Sequence, residues 1–211
     1  MAVTRDEVIS WIKAYSQVIA ENKDYLTDLD SAIGDADHGA NMHRGFQAVL
    51  AKLPVVEDKD IGTILKTVGM ALISTVGGAG GPLYGTFFIQ ASTKLQGKME
   101  LTLTDWAAAL EAGTIGVVNI GKASVGDKTM IDALNPAVQA LNGTAGQELS
   151  MTEALKKSAE AAEEGMRGTI PLVARKGRAS YLGERSAGHQ DPGATSSFLL
   201  LDTAANVWAK R

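Results

Sequence analysis

The 211-residue sequence contains no cysteine, which excludes disulfide bonds, thiolate catalysis and zinc sites of the cysteine type. It also lacks an apolar run of the length found in signal peptides or membrane spans, and its N-terminal stretch is charged and amphipathic. With a formal net charge of -4, it has no broad positive field to attract a nucleic acid backbone. No linker rich in proline or serine divides the chain. We therefore expect one soluble, cytoplasmic domain over residues 1–211, with neither nucleic acid nor membrane as a direct partner.

Aromatic residues make up only 5% of the chain, and alternating polar and apolar strands bounded by hairpin turns are not convincing anywhere. Apolar residues instead recur at helical spacing, and Thr4 or Asp6 is suited to cap the first helix. Most connections are short, which favours antiparallel neighbours. The predicted fold class is therefore all-α, with eight antiparallel amphipathic helices in an up-and-down bundle or barrel. The predicted helices cover residues 4–20, 38–52, 58–76, 82–96, 103–119, 127–142, 150–168 and 192–210.

An up-and-down array places every second connection at the same end of the molecule. The connections after the first, third, fifth and seventh predicted helices carry all the unusual sequence, whereas the other connections are ordinary polar turns. We call the four connections together the rim and expect them to converge at one end. The rim consists of residues 21–37, 76–82, 120–129 and 174–193.

Asp30, Asp35 and Asp37 lie close together at the end of the first rim segment, in "DSAIGDADHG", with no lysine or arginine among them. A turn flexed at Gly34 and Gly39 can aim Asp35 and Asp37 at one point, close to Asp30. Such carboxylates repel one another, and a hard divalent cation reverses the sign of that interaction. Oxygen ligands favour Mg²⁺, which commonly keeps phosphate oxygens as further ligands. The alternative is that Asp30 and Asp37 cap helices while Asp35 is a solvated turn residue.

The second rim segment, "VGGAGGP", is rich in glycine and leads into a predicted helix with Pro82 in its first turn. A helix N-terminus after such a loop exposes free N–H groups and the positive end of the helix dipole, which suits a phosphate. A tight turn that lets two helices approach closely explains the glycines equally well. The nearby "GVVNIGK" has the spacing of a P-loop, but Ala123 replaces the required serine or threonine and a helix precedes it, so we reject that interpretation.

The third and fourth rim segments supply a wall and a cationic cluster. In "GDKTM", Asp127 is a candidate cap and Met130 a candidate apolar wall, although a plain helix start also explains the motif. The last segment carries Arg175, Lys176, Arg178 and Arg185, and it runs into "DPG", where Asp191 can cap the final helix and Pro192 can begin it. Arg178 is the first choice for a phosphate contact. His38, His43 and His189 do not form a ligand set, and His38 is the best placed of them to touch a ligand.

Aspartates for Mg²⁺, helix N-termini and an arginine on one rim describe a site for a nucleotide di- or triphosphate. The four motifs closely resemble those of the ADP-binding L subunits of bacterial dihydroxyacetone kinases of the phosphotransferase-system type, over essentially the whole chain. The motifs are "GDADHGANMHRG", "VGGAGGPLYGTFF", "GKASVGDKTM" and "ARKGRASYLGERSAGHQDPGATS".

The resemblance implies an eight-helix barrel with ADP or ATP bound at one end, where Asp30, Asp35 and Asp37 hold two Mg²⁺ ions. It implies that a separate K subunit binds dihydroxyacetone and that a separate M subunit relays phosphate from phosphoenolpyruvate, through histidines, to the bound ADP. Arg178 is the predicted catalytic residue, acting through charge neutralisation. The implied contacts to the nucleotide are His38, Gly39, Ala40, Asn41, Ala79, Gly80, Gly121, Met130, Arg178, Asp191, Pro192 and Gly193.

Two other functions fit the same site. One is the nucleotide domain of a related kinase that acts on a different acceptor, such as a fatty acid. The other is a regulatory role, in which the nucleotide-loaded rim binds a transcriptional regulator, and this role is compatible with catalysis.

Overall fold

The computed structural model describes residues 2–144 and 149–209, and this part of the chain contains nine α-helices and two short strands. The helices are α1 (Arg5–Glu21), α2 (Lys23–Ile33), α3 (His38–Lys52), α4 (Ile61–Thr75), α5 (Gly80–Ser92), α6 (Leu103–Gly121), α7 (Ile131–Asn142), α8 (Met151–Gly168) and α9 (Pro192–Trp208). The strands are β1 (Val3–Thr4) and β2 (Glu100–Leu101), and 3-10 helices cover Leu53–Val55 and Arg178–Ser186.

Eight of the helices close into a ring around one hydrophobic core. From α3 to α9 each helix packs against the next one along the chain, α1 packs against α3, and α9 packs back against α1. The ring lets every helix bury its apolar stripe against two neighbours and the interior. The predicted all-α barrel of eight helices is confirmed.

The ninth helix, α2, lies in a segment that was predicted to be a loop, so that part of the prediction was wrong. Residues 23–33 bury only Leu26, Asp30 and Ile33, and one of these three is charged. A stripe so short and mixed gives little helical signal in the sequence. Helix α2 packs on α3 and α9 at the rim, and it makes Asp30 a helical residue and not a loop residue.

Other helix boundaries follow from local capping. Thr4 and Glu7 form a capping box at the start of α1, as Thr102 with Asp105 and Ser150 with Glu153 do for α6 and α8. Helix α5 begins two residues before the predicted residue 82. Helix α7 begins at Ile131, four residues later than predicted. The carboxylate of Asp127 accepts a hydrogen bond from the Ser124 N–H at 2.9 Å, so it closes a turn and does not cap α7.

The end opposite the rim is closed by aromatic packing and by the antiparallel β1–β2 pair. Trp11, Trp106 and Trp208 are all buried, and their ring centroids lie 5.0–5.4 Å apart in edge-on contacts. The indole N–H of Trp208 donates to the carbonyl of Glu7, so the last helix is tied to the first. These contacts hold the helix ends together at the base of the barrel, away from the rim.

Close helix approach explains one glycine pair. A Cβ built on Gly85 would lie 2.8 Å from the carbonyl oxygen of Gly69, and a Cβ on Gly69 would lie 2.6 Å from that of Gly85. Because both contacts are to backbone, α4 and α5 can cross at this distance only without side chains there. Gly39 behaves similarly, since its Cβ would meet the carbonyl oxygen of Lys23 in α2.

Candidate functional site

Four helix N-termini point into one cavity at the rim. Helices α3, α5, α7 and α9 all begin there, and a cavity of about 190 Å³ is lined by residues from each of the four rim segments. The positive ends of four helix dipoles therefore surround the same space, which favours an anionic ligand. The predicted convergence of the rim segments is what the structure shows.

The three predicted metal ligands come together on one side of the cavity. One oxygen from each of Asp30, Asp35 and Asp37 lies within 4.8 Å of the others, with Asp30 on α2 and the other two on the turn between α2 and α3. Ala36, between the last two, has a φ of 60°, a left-handed conformation that is uncommon for residues with a side chain. All ligand atoms of the cluster are carboxylate oxygens, so the cluster fits a hard cation such as Mg²⁺ better than zinc.

Asp30 also holds the turn in place. Its Oδ2 accepts hydrogen bonds from the N–H groups of Asp37, at 2.8 Å, and His38, at 3.1 Å, which are the first backbone groups of α3. Asp30 is buried, whereas Asp35 is exposed and Asp37 half-buried. One oxygen of Asp30 thus serves as a cap, as the alternative interpretation of the sequence expected, and the other stays available to a ligand. The side chain of Asp37, the other cap of that interpretation, does not cap α3.

Arg178 approaches the aspartates from the opposite wall. Its Nε lies 3.1 Å from Oδ2 of Asp35, and the two side chains are 66% and 35% exposed. Arg178 begins the 3-10 helix of the fourth rim segment, directly after Gly177, which has a φ of 65°. The Nε contact places Arg178 beside the carboxylate cluster. Arg178 also lines the cavity, so it is within reach of a ligand there.

The glycine-rich segment forms the next part of the wall. Residues 76–80 line the cavity, and among the described residues no side chain caps the start of α5. Uncapped N–H groups at a helix N-terminus are free to bind the oxygens of a phosphate. Gly78 has a φ of 62° and a Cβ there would meet nothing within 4 Å, so a backbone conformation rather than crowding requires glycine.

A buried hydrogen-bond network lies beneath the start of α9. The phenol of Tyr84 is 2.6 Å from the hydroxyl oxygen of Ser196 and 3.0 Å from that of Ser197, and His38 Nε2 is 2.9 Å from the same Ser196 oxygen. Burial lowers the pKa of His38, although Asp30 and Asp37 act in the opposite direction. Burial raises the pKa of Tyr84 to about 12. The network therefore joins α3, α5 and α9 through neutral side chains.

Asp191 caps α9, as the sequence predicted. Its Oδ2 accepts from the Ala194 N–H at 2.7 Å, and its own N–H donates to the Thr169 hydroxyl at 3.0 Å. Burial raises the pKa of Asp191 to about 7, and the nearby carboxylates of Asp132 and Asp30 act in the same direction. Pro192 follows as the first residue of the helix.

Lys128 is the most unusual side chain at the cavity. It lines the wall, yet only 1% of the residue is exposed, and its φ is 63°. Its Nζ donates to the carbonyl oxygens of Thr169, Ile170, Leu172 and His189. Burial lowers the pKa of this ammonium group, and Asp191 and Asp132 act in the opposite direction.

Most of the predicted site residues line this cavity, and three do not. Gly39 is buried against α2, Ala40 is exposed elsewhere on α3, and Gly121 ends α6 with its Cβ position facing Leu83. The predicted residues on the cavity wall are Asp30, Asp35, Asp37, His38, Asn41, Ala79, Gly80, Met130, Arg178, Asp191, Pro192 and Gly193.

The sequence analysis did not single out Lys128, Tyr84 or Ser196. Lys128 stands in the quoted motif "GDKTM", but a lysine in a polar turn usually extends into solvent, and nothing in the local sequence indicates burial. Tyr84 and Ser196 follow the glycine-rich and "DPG" segments within one helical turn. This short distance from the two helix starts is the one feature of the sequence that predicts their position next to the site.

Comparisons with known proteins show the family and the fold of this chain. The family model described as "DAK2 domain" matches residues 32–206. A relative from Escherichia coli (strain K12), named "PEP-dependent dihydroxyacetone kinase, ADP-binding subunit DhaL", is 49% identical over 205 residues, which cover 97% of this chain and 98% of the relative. A relative from Lactococcus lactis subsp. lactis (strain IL1403), named "PTS-dependent dihydroxyacetone kinase, ADP-binding subunit DhaL", is 40% identical and covers 98% of this chain and 100% of its own.

A solved structure has the same fold. It is the dihydroxyacetone kinase from C. freundii in complex with AMP-PNP and Mg²⁺, with a TM-score of 0.69 and 25% sequence identity. The match covers 93% of this chain and 33% of the longer one. Within residues 2–144 and 149–209, no helix has the length and apolar character needed to cross a membrane.

Proposed function

Because the chain belongs to the DAK2 domain family, we propose that it is the nucleotide-binding subunit of a phosphoenolpyruvate-dependent dihydroxyacetone kinase. In this proposal it holds ADP or ATP with Mg²⁺ and passes the terminal phosphoryl group to dihydroxyacetone on a partner K subunit. A histidine-carrying M subunit then regenerates the bound nucleotide. The observation that carries the proposal is the set of three carboxylates facing Arg178 and four helix N-termini across one cavity.

Asp30, Asp35 and Asp37 would hold the metal. We propose that these three aspartates bind two Mg²⁺ ions. Mg²⁺ would supply charge neutralisation for the phosphates. Groups of the protein itself would bind the phosphates and stabilise the charge that develops during transfer. The uncapped start of α5 offers N–H donors to phosphate oxygens, and Arg178 offers a cation to charge that develops during transfer.

The nucleotide contacts proposed for the other site residues rest on their position. Met130 and the 191–193 turn form one wall, with Gly193 close against Met130, and His38 and Asn41 form part of another. Gly39, Ala40 and Gly121 lie off the cavity wall. Their contact with the nucleotide, which the resemblance implies, stays a prediction.

Binding is tested first with the metal ligands. Asp35→Asn and Asp37→Asn should abolish Mg²⁺-dependent ADP binding in calorimetry while leaving helix content by circular dichroism intact, because both side chains lie on a turn. Asp28→Asn, an exposed aspartate of α2, is the matched control and should bind ADP normally. Unchanged ADP affinity in both turn variants would disprove the metal assignment. Asp30→Asn is expected to weaken binding and stability together, since Asp30 also caps α3.

Transfer is tested with and without the partner. The wall residues to which this proposal gives a role in the site serve phosphate, metal and base, and none of them is assigned to hold a triose. The chain loaded with Mg·ATP should therefore leave free dihydroxyacetone unphosphorylated until a K subunit is added. Lys176→Glu, on the fourth rim segment, is expected to weaken partner contact. Robust turnover by this chain alone would show that the acceptor site lies on it. The predicted binding of a transcriptional regulator stays a prediction, which a pull-down from cell extract would test.

A further inference from the structure

A buried lysine in a left-handed conformation requires an explanation beyond charge at the site. Lys128 has a φ of 63°, which glycine or asparagine adopts more easily, and its side chain is withdrawn from solvent. Such strain persists only where the surroundings impose it, and it concentrates at functional sites. The contacts that hold Lys128 in this conformation are hydrogen bonds from its ammonium group to backbone carbonyls.

The carbonyls that receive this ammonium group come from two separate segments. Thr169, Ile170 and Leu172 directly follow the end of α8, and their carbonyl oxygens lie 2.8, 3.4 and 3.1 Å from Nζ. His189 lies just before α9 and also receives a hydrogen bond from Nζ. One ammonium group thus joins the start of α7, the end of α8 and the approach to α9.

The joined segments carry two walls of the cavity. Residues 128–130 form one wall and residues 191–193 form the other. The walls are in contact, because a Cβ on Gly193 would lie 3.6 Å from the Met130 nitrogen. A second link holds the fourth rim segment, since the Arg175 N–H donates to the Asp127 carbonyl at 3.1 Å.

We propose that Lys128 is a positioning residue for the nucleotide, which fixes the 128–130 wall of the cavity against the 191–193 wall. The inference rests on the proposed function, because it takes the cavity to be the ADP site. Lys128 acts through the backbone it holds and makes no assumed contact with the ligand. Loss of the ammonium group removes one hydrogen bond from each of these carbonyls, so the two walls lose their common attachment.

The chain offers a matched control in Lys122. It stands in the same rim segment and is also left-handed, with a φ of 50°, but its side chain is exposed and it does not line the cavity. Lys122→Met therefore removes the same charge from the same segment without touching the link between the walls.

Lys128→Met should weaken Mg·ADP binding by about tenfold or more, because the walls that hold the nucleotide lose the hydrogen bonds of a charged group. Calorimetry measures this affinity well below the melting temperature, and electron paramagnetic resonance measures the binding of Mn²⁺ alone. Mn²⁺ affinity should stay within about twofold of the wild type, because the aspartates lie on a different wall. Lys122→Met should change neither value.

A loss of stability alone does not produce this result. Unchanged ADP affinity in folded Lys128→Met would overturn the proposal, and so would an equal loss of Mn²⁺ and ADP affinity, which indicates general collapse of the rim. If the wild-type protein fails to bind Mg·ADP, the proposed function is refuted and this inference falls with it.

Chemical restoration of the ammonium group at position 128 tests its role directly. It is possible because the chain has no native cysteine, so that one introduced cysteine can be modified selectively. Lys128→Cys can be alkylated in denaturant with 2-bromoethylamine, which rebuilds a side chain of lysine length ending in an ammonium group, and then refolded. Alkylation with iodoacetamide gives a neutral counterpart. We expect ADP affinity to recover only with the ammonium form. Equal affinities of the two products would overturn the proposal, and this comparison also serves if Lys128→Met does not fold.

Discussion

Replacement of Arg178 by glutamine should strengthen the binding of a divalent metal alone and weaken the binding of ADP. Arg178 Nε lies 3.1 Å from the Asp35 carboxylate. In the free protein the arginine is therefore paired with a carboxylate that is a proposed metal ligand. A metal ion must displace it, whereas a bound phosphate gives the arginine a new partner. The two affinities should therefore change in opposite directions.

The sizes of the two effects differ because the two contacts differ in kind. The side chains of Arg178 and Asp35 are 66% and 35% exposed, and exposed ion pairs contribute about 0.2–1 kcal/mol. Their loss should raise metal affinity about 1.4- to 5-fold. Hydrogen bonds to charged groups contribute about 1.5–3 kcal/mol, so loss of the phosphate contact should lower ADP affinity roughly 10- to 150-fold.

The assay uses Mn²⁺ binding without nucleotide, followed by ADP titration at saturating Mg²⁺. Arg185→Gln removes an exposed cation of the same 3-10 helix that does not line the cavity, and it controls for net charge. Addition of Asp35→Asn to Arg178→Gln should remove the gain in metal affinity, because the released carboxylate is then absent.

Two results would refute this reasoning. A metal affinity that falls or stays constant in Arg178→Gln means that the arginine does not compete for Asp35. An ADP affinity equal to that of the wild type means that Arg178 does not bind phosphate, whatever the metal data show.

Three further predictions concern stability. Mg·ADP at a hundredfold excess over Kd should add about 2.7 kcal/mol and raise Tm by roughly 5–10 °C, whereas ADP with chelator should do much less; equal shifts contradict the carboxylate–metal bridge. Without metal, the free energy of unfolding should fall as pH rises from about 4 to 7, by at most about 4 kcal/mol, because Asp191 ionises near 3.8 when unfolded and near 7 when buried; Asp191→Asn should remove this slope in denaturant titrations. Gly85→Ala should cost about 1–3 kcal/mol through contact with the Gly69 carbonyl, whereas Gly168→Ala, with nothing within 4 Å, should not lower Tm.

Local patterns in the sequence determined the class of fold and the composition of the rim. Helical periodicity depends on residues three and four apart, so eight amphipathic helices were visible without tertiary contacts. Short connections then placed alternate loops at one end, and the aspartates, glycines and arginine of the rim were found there. Asp191 and Pro192 were recognisable at the start of α9 because capping depends on adjacent residues.

Tertiary structure decided the features that depend on distant segments. Helix α2 has only a short, mixed buried stripe, and its packing on α3 and α9 makes it a stable helix. Arg178 pairs with Asp35 across 143 positions of sequence because two rim segments face each other over the cavity. Lys128 is buried because carbonyls 41 to 61 positions away converge on its ammonium group. A charged side chain is buried only where the fold supplies such hydrogen-bond partners, and the local sequence around Lys128 does not predict partners from distant segments.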